Sequence, residues 1–361
     1  MSVWPPCREV QALCRLLCRP SPPLVAAAKL QAASSLAELQ QNLPGARIAG
    51  DHLTALQAGV EAWRRAAHGA LLTYYDEAYP ALLRHIAHPP LGLFVRGDPR
   101  CLGEPTVALV GTRAASAAAR DWTRDVAADL GRSGVVVVSG LARGIDAAAH
   151  EGAVESGGAT VAVLGCGPDL CYPPEHAGLA RRIAVRGAVA TELPPGTPPR
   201  PWHFPLRNRI LAGLASGVVV VQAELRSGAL ITARHALDEN REVMAVPGDV
   251  GDPRSRGPHQ LLRQGATLVD SARDILEALR WLPPAAALDL GEASPAAPSG
   301  LRGDHPALLA ALGSYGQVEA LRARLRWSPE RLLRVLSELE LSGVVTRATG
   351  GVVLRSAPPP S

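Results

Sequence analysis

The chain has 361 residues, 47% of them hydrophobic and 19% charged, with a formal net charge of +4. At roughly 150 residues per domain this is a globular protein of about two to three domains, and a disordered chain is excluded. The mildly basic balance is compatible with an anionic partner without identifying one, but Lys29 is the single lysine among 37 basic residues, which excludes a GxxxxGK[ST] phosphate loop, a Schiff-base or SxxK lysine in the main body and a kinase-type lysine, and leaves phosphate binding to arginine and backbone N–H groups.

Residues 1 to about 68 read as short helices. LQAASSLAELQQNL and DHLTALQAGVEAWRRAA carry apolar residues at helical spacing, with Asp51 as the expected N-cap of the second, and Pro20, Pro22, Pro23 and Pro44–Gly45 as breaks. The six cysteines include no CxxC pair, and Cys7, Cys14 and Cys18 are expected to be small buried apolar residues rather than metal ligands. Arg8, Glu9, Arg15 and Arg19 interrupt the N-terminal apolar runs, and no stretch is long enough to span a bilayer. The expectation is a cytoplasmic protein with reduced thiols, no membrane association and no metal.

From Thr106 the pattern changes. TVALV, VVVVSG, TVAVLG, AVATEL, GVVVVQA, EVMAVPG and ATLVD are short, continuously apolar, valine-rich runs. Helical stretches separate them: SAAARDWTRDVAADLGRSG, GIDAAAHEGAVESGG, EHAGLARRIAVRG, LRNRILAGLAS, GALITARHALDENR and SRGPHQLLRQG, with SARDILEALRWL closing the series. Strands apolar throughout and alternating with helices predict an α/β fold, a parallel sheet of Rossmann type covered by helices on both faces. Residues 283 to 303 are a Pro/Ala/Gly/Ser linker. HPALLAALG, VEALRARLR and SPERLLRVLSELELSG then predict three helices, and VVTRATGGVVLR a hairpin turned at Gly350–Gly351, together a winged helix. The tail SAPPPS is expected to fray.

Ligands of open parallel sheets bind beyond the C-terminal ends of the strands. The residues found there are Gly111, Thr112 and Arg113; Ser139 and Gly140 leading through Ala142, Arg143 and Gly144 to Asp146; Gly165, Cys166 and Gly167; the segment PPGTPPRPWHFPLRN, read as a long loop; and Gln222, Glu224, Arg226, Ser227 and Gly228. From Thr106 to Leu279 arginines and acids balance, yet Arg113, Arg143, Arg207, Arg209 and Arg226 fall on one predicted edge. Local charge of this kind is what an anion pocket needs; the plainer reading of Arg207 and Arg209 is a solvated helix face. GCGPDL after a strand lacks the third glycine and the helix of a dinucleotide fingerprint, so no NAD or FAD is expected. No GxSxG elbow occurs, and Asp146 and His150, four residues apart on a helix, suit helix packing better than catalysis. Trp202 and Phe204 are aromatics in the arginine-bearing loop, enough to stack one or two unstacked bases.

With these residues in view, the chain resembles the DprA/Smf family of DNA-processing proteins over about residues 74 to 282. The segments that carry the likeness are YPALLRHIAHPPLGLFVRGD, VALVGTR, VVSGLARGIDAAAH, AVLGCGPDLCYPPEH, TELPPGTPPRPWHFPLRNRILAGL, SGALITARHAL, EVMAVPG and SRGPHQLLRQGA. The helical N-terminus is similar to the family's sterile-alpha-motif-like module, and the winged helix to the domain many members append. The resemblance implies a non-enzymatic single-stranded DNA-binding protein that protects incoming DNA and loads the RecA recombinase in natural transformation and recombination, acts as a homodimer and needs no cofactor. It implies four domain limits, 1–70, 71–282, the linker 283–303, and 304–361. It also implies a DNA pocket built from Gly111, Thr112 and Arg113; Ser139, Gly140, Ala142, Arg143, Gly144 and Asp146; Phe204, Pro205, Arg207, Asn208 and Arg209; and Ser227, Gly228 and Thr232.

Three positions depart from the family pattern. His259 stands where the family has Asn, Gln222 where it often has Glu, and the basic residue expected after the YPxEN segment is any of Arg181, Arg182 or Arg186. A second class, a nucleotide-metabolising or nucleotide-sensing enzyme on a related scaffold, stays open on the residues alone and would be recognised by turnover of a free nucleotide.

Overall fold

A strand apolar at every position must be covered on both faces, and the valine-rich runs are covered in this way. The computed structural model describes residues 7–17, 25–43, 50–67, 69–281, 304–305, 307–308, 315–325, 327–341, 345–348 and 352–355. The chain divides into two compact units, residues 1–281 and 282–361.

The first unit opens with helices α1 (Cys7–Leu17), α2 (Ala27–Gln31), α3 (Leu36–Asn42) and α4 (Gly50–Ala67). Ser35 caps α3 by accepting the Glu38 N–H, and the buried Glu9 on α1 accepts the Leu36 N–H at 2.8 Å. One acid thereby ties α1 to the start of α3, where unpaired donors favour a negative charge. Asp51 lies inside the first turn of α4 rather than capping it, because the helix is already formed at Gly50. Leu13, Leu16, Leu30 and Leu39 share a continuous core with strand residues Leu71, Leu72, Leu93 and Phe94, and Trp63 meets Phe94 edge to face at 5.6 Å. The helices therefore pack directly on the sheet. Of the three N-terminal cysteines expected to be buried, Cys14 is buried, Cys7 is exposed at the start of α1, and Cys18 lies outside the described residues.

Strand β1 (Ala70–Thr73), helix α5 (Ala81–Arg84) and strand β2 (Gly92–Gly97) precede the predicted series. Then follow β3 (Thr106–Val110), α6 (Ala117–Arg132), β4 (Val136–Ser139), α7 (Ile145–Glu155), β5 (Thr160–Val163), α8 (Ala177–Arg186), β6 (Ala188–Thr191), α9 (His203–Leu214), β7 (Gly217–Val220), α10 (Gly228–Asp238), β8 (Glu242–Ala245), α11 (Arg256–Arg263), β9 (Thr267–Leu268) and α12 (Ala272–Ala278). The sheet has nine strands in the order β1-β2-β6-β5-β4-β3-β7-β8-β9. The run from β6 to β9 is parallel, with helices on both faces as expected. A wholly parallel sheet is corrected at one edge, where β1 and β2 add antiparallel (Phe94 opposite Thr191).

Burial follows the pleat. Val107 and Leu109 of β3 enter one core with α6, α7 and α12, while Ala108 and Val110 enter the other with α9 and α10. This two-residue alternation is the geometry of a strand sandwiched between helices. From β3 the chain moves to β4 on one side, and from β7 to β8 on the other. The order thus reverses between β3 and β7, and the connections leave a crevice beyond their C-terminal ends.

Helix α9 begins at His203, earlier than the expected start, so Phe204, Pro205 and Arg207 stand on a helix rather than in the long loop. Pro205 falls in the first turn, where its missing N–H has no intrahelical acceptor to lose. No helix among the described residues is long and apolar enough to cross a membrane.

In the second unit, strand β10 (Tyr315–Gln317), helices α13 (Val318–Leu325) and α14 (Pro329–Leu341) and strands β11 (Val345–Ala348) and β12 (Val352–Arg355) form a winged helix. Its sheet has the order β10-β12-β11, one strand more than the predicted hairpin. Leu308, Leu321, Leu332, Val335, Leu336 and Leu339 make its core. The linker 283–303, most of the helix expected over 305–313, the hairpin turn at Gly350–Gly351 and the tail lie outside the described residues.

Candidate functional site

The crevice between β3 and β7 holds a cleft of about 620 Å³. Of the sequence-predicted residues, Gly111, Thr112, Arg113, Ala142, Asp146, Phe204, Pro205, Arg207, Asn208, Ser227, Gly228 and Thr232 line it. Gly140 and Arg143 line an adjoining recess together with Arg113, Ala142, Tyr172 and Phe204. Ser139, Gly144 and Arg209 face neither space, each for a physical reason.

Ser139 ends β4 and is fully buried; its hydroxyl donates to the Leu109 carbonyl at 2.7 Å. It ties two strands together. Gly144 precedes α7 at φ +78°, and a Cβ there would collide with the Thr112 carbonyl. The residue is glycine because the turn into α7 runs against the turn after β3. Arg209 forks onto Glu192 at 2.8 and 2.6 Å and is 8% exposed. Its charge is neutralised inside the fold rather than offered to a ligand.

Arg207 is also buried, at 6% exposure, so the solvated-face reading fails for both arginines. It donates to the Gly140 carbonyl at 2.9 Å and to the Val163 carbonyl. Asp146 sits beside it and accepts the Gly140 N–H at 3.1 Å and the Ala142 N–H at 3.4 Å. Gly140 must lack a Cβ, because the space one would fill is taken by the Arg207 guanidinium and the Asp146 carboxylate. Burial raises the Asp146 pKa, opposed by Arg207 and the two N–H groups, and burial holds Arg207 down to about 10, opposed by Asp146. Two opposite buried charges of this kind are held because each is hydrogen-bonded to backbone groups and each offsets the other electrostatically. They fix the turn between β4 and α7 and form the floor of the cleft.

Arg113 is different. It is exposed at the mouth, with its guanidinium 5.5 Å from the Phe204 ring centre. Among the described residues it has no hydrogen bond or ion pair; Asp146 accepts the Gly140 and Ala142 N–H groups instead. Phe204 meets Tyr172 at 5.4 Å between ring centres. The turn that carries Arg113 is held from behind. Ser116 caps α6 by accepting the Ala119 N–H, and Gln222 bridges to it, accepting the Ser116 N–H at 3.0 Å and donating to its hydroxyl at 3.1 Å. Arg254, forked on Asp252, donates to the Ala114 carbonyl at 3.1 Å. The amide at position 222 thus accepts from the Ser116 N–H and donates to its hydroxyl.

Opposite Arg113, Ser227 caps α10 by accepting the Ala229 N–H, and Ser227, Gly228 and Ala229 all line the cleft. The positive end of α10 therefore opens into it. Asn208 donates to the Gly228 carbonyl at 3.2 Å and fixes that start against α9. Arg226 and Glu224 complete the rim. With Arg113, Arg207, Arg226 and a helix N-terminus against Asp146 and Glu224, the cleft is net positive.

Tyr172 lines the cleft but is absent from the residues singled out in the sequence, whereas Pro201 and Glu224, which also line it, stand there at the strand ends without being assigned to the pocket. Tyr172 follows GCGPDLC, whose chemistry draws attention only as a failed dinucleotide fingerprint. The structure gives those glycines other reasons: a Cβ on Gly165 would lie 2.9 Å from the Phe204 ring, and one on Gly167 would press on Asp169 and Pro194. His150 lies outside the cleft, fully buried, its Nδ1 2.7 Å from the Thr160 hydroxyl. Arg143 pairs with Glu175, Arg182 with Glu155, and Arg186 donates to the Gly157 carbonyl; none of Arg181, Arg182 and Arg186 lines the cleft. His259 binds the Gly248 carbonyl at 3.1 Å. Among the described residues no group of three or more His, Cys, Asp and Glu side chains is placed to hold a metal ion.

Comparison with known proteins adds an independent line. A family model described as DNA recombination-mediator protein A matches residues 70–280, and one described as the DprA winged helix domain matches residues 292–351. Protein Smf of Escherichia coli K12 is 40% identical over 299 residues, covering 81% of this chain and 79% of the relative. DNA processing protein DprA of Bacillus subtilis is 43% identical over 205 residues, 56% of this chain and 69% of the relative. The X-ray structure of DprA from Streptococcus pneumoniae matches with a TM-score of 0.63 at 34% identity, covering 77% of this chain and 98% of that one. DprA from Helicobacter pylori, a structure described for its single-stranded DNA binding mode, matches with a TM-score of 0.53 at 28% identity over 59% of this chain and 95% of that one.

Proposed function

This chain belongs to the family of DNA recombination-mediator protein A, and on that premise we propose that it binds single-stranded DNA without catalysing a reaction, protects the strand, and loads the RecA recombinase onto it in natural transformation and homologous recombination. In this reading it works in the cytoplasm as a homodimer, and each copy contributes one cleft. The observation that carries the DNA-binding part is Arg113: an exposed guanidinium with no acid on it, set over the Phe204 ring at the mouth of a net positive cleft.

The roles divide by geometry. Arg113 clamps a phosphate, with the N-terminus of α10 supplying the Gly228 N–H to a second and the Ser227 and Thr232 side chains lining the space beside it. Phe204, backed by Pro205 and Tyr172, takes an unstacked base. Gly111, Thr112, Gly140, Ala142 and Gly144 shape the turns that let the strand approach, Arg226 adds charge at the rim, and Arg143, paired with Glu175, borders the adjoining recess. Arg207, Asp146, Asn208, Ser139 and Arg209 hold these parts in place. Phosphate clamps and stacking read no base edge, so sequence preference is weak.

The test is a gel shift of single- against double-stranded DNA at several salt concentrations. Neutralising three or four phosphates per cleft gives a log–log salt slope of roughly −2 to −3 for single strands. Equal affinity for duplex, or a slope near zero, would remove the basis for this reading. Turnover of a free nucleotide would instead assign the cleft to catalysis. RecA loading is tested separately, by whether the protein speeds RecA assembly on an already coated strand.

A further inference from the structure

The cleft is not where the accessible aromatic surface ends. One residue beyond its wall stands Trp202, 55% exposed. A tryptophan exposed to that extent forgoes burial of one of the largest apolar side chains. The guanidinium of Arg200 lies over its ring at 5.2 Å, and His203 meets its edge at 5.8 Å. Between the two, Pro201 lines the cleft, and Phe204 lies two residues further on.

We propose that Trp202 and Arg200 form a second stacking station, which takes the base of the nucleotide next to the one held in the cleft. The inference rests on single-stranded DNA being the occupant of that cleft. Three features fit it. An indole face is a sequence-tolerant platform for a base, and a guanidinium beside it answers the phosphate that comes with that base. Consecutive Cα atoms are about 3.8 Å apart, so Trp202 follows the cleft wall within the reach of one nucleotide step. The platform is also anchored. His203 N–H donates to the Arg200 carbonyl at 2.9 Å, closing the turn that carries Trp202, and the His203 ring lies 3.2 Å from the Gly165 carbonyl. Upstream, the Gly196 N–H donates to Asp169 at 2.9 Å, and the Gly167 N–H to the Thr197 carbonyl at 2.8 Å. A station held in this way needs no ordering when the strand arrives.

The test uses the full chain and two probes: thymidine 3′,5′-bisphosphate, a single nucleotide with a phosphate on each side that fills the cleft alone, and an oligothymidylate of about 12 nucleotides. Trp202→Ala is expected to weaken the longer probe by roughly 5- to 150-fold, the loss of one stacked base, and to leave the single nucleotide unchanged. Trp202→Phe keeps a ring and should retain most of the affinity, and Arg200→Ala should cost about 2- to 5-fold on the longer probe only. Tryptophan emission should be quenched by the longer probe in the wild type and much less in Trp202→Phe. Equal affinity of Trp202→Ala and wild type for the longer probe, or equal loss on both probes, overturns the second station. If the wild type binds neither probe, it is the DNA reading of the cleft that fails.

Discussion

Replacing Arg113 with alanine tests the central assignment most directly. The side chain is exposed, and among the described residues its one specific contact is the Phe204 ring at 5.5 Å. An exposed cation–π contact is worth roughly 0.5–1 kcal/mol. In a unit of this size about 1 kcal/mol moves Tm by some 2–4 °C, so Arg113→Ala should melt within about 4 °C of the wild type. A guanidinium that forks onto a phosphate contributes on the order of 1.5–3 kcal/mol, so affinity should fall about 10- to 150-fold. Losing one neutralised phosphate should also make the log–log salt slope shallower by about 0.7. Arg113→Lys keeps the charge and loses the fork; it should bind between the two with the wild-type slope. Fluorescence anisotropy with a labelled oligothymidylate at several salt concentrations reads both quantities. An alanine variant with unchanged affinity and slope would refute the assignment. A large fall in Tm with full affinity in the folded fraction would make Arg113 a brace instead.

Three further outcomes follow from the same geometry. Arg207→Met leaves the Gly140 and Val163 carbonyls without their buried donor and removes the opposite charge beside Asp146, and should destabilise the fold by roughly 1–3 kcal/mol in urea unfolding, with Asp146→Asn in the same chain restoring part of the loss; wild-type stability would mean that these buried charges do not hold the floor. His150 should make the fold acid-sensitive. The Thr160 hydroxyl gives its proton to the Val137 carbonyl, so the His150 Nδ1–H must be the donor to Thr160, and burial holds the ring down to about 3 from an ordinary 6.5. Between those values the unfolded chain binds the proton and the native state does not, so stability is full above pH 6.5 and is lost at about 1.4 kcal/mol per unit as pH falls towards 3. Unfolding midpoints across that range should therefore show a flatter acid limb in His150→Gln, and an identical limb would sink the idea. Finally, a chain ending at Leu282 should remain folded and bind single strands with nearly full affinity. Arg331 and Arg334 on the exposed part of α14 are already met by Asp304 and Glu338, and a folded fragment that loses most of its affinity would contradict this.

How much of this was legible beforehand depends on where each residue finds its partners. The parallel strands could be read because burial on both faces leaves continuous valine runs, and glycines at their ends marked the rim. β1 and β2 could not: ALLT and GLFVRG are short and lie outside the strand–helix alternation, and their place is set by pairing with β6, far along the chain. The start of α9 was masked by Pro205, which reads as a loop residue although the first turn of a helix accepts it. The arginines show the limit most plainly. Arg113, Arg207 and Arg209 are the same residue type on one edge of one sheet, and counting charge treats them alike. What separates them is supplied by other strands. The ends of β4 and β5 present the carbonyls of Gly140 and Val163, which with Asp146 take up Arg207. Glu192, just after β6, takes up Arg209. Among the described residues Asp146 makes no ion pair with Arg113; its Oδ2 accepts the Gly140 and Ala142 N–H groups on the cleft floor beside Arg207. The guanidinium without an internal partner is therefore the one at the mouth, above a floor in which Arg207 and Asp146 are each held by backbone groups.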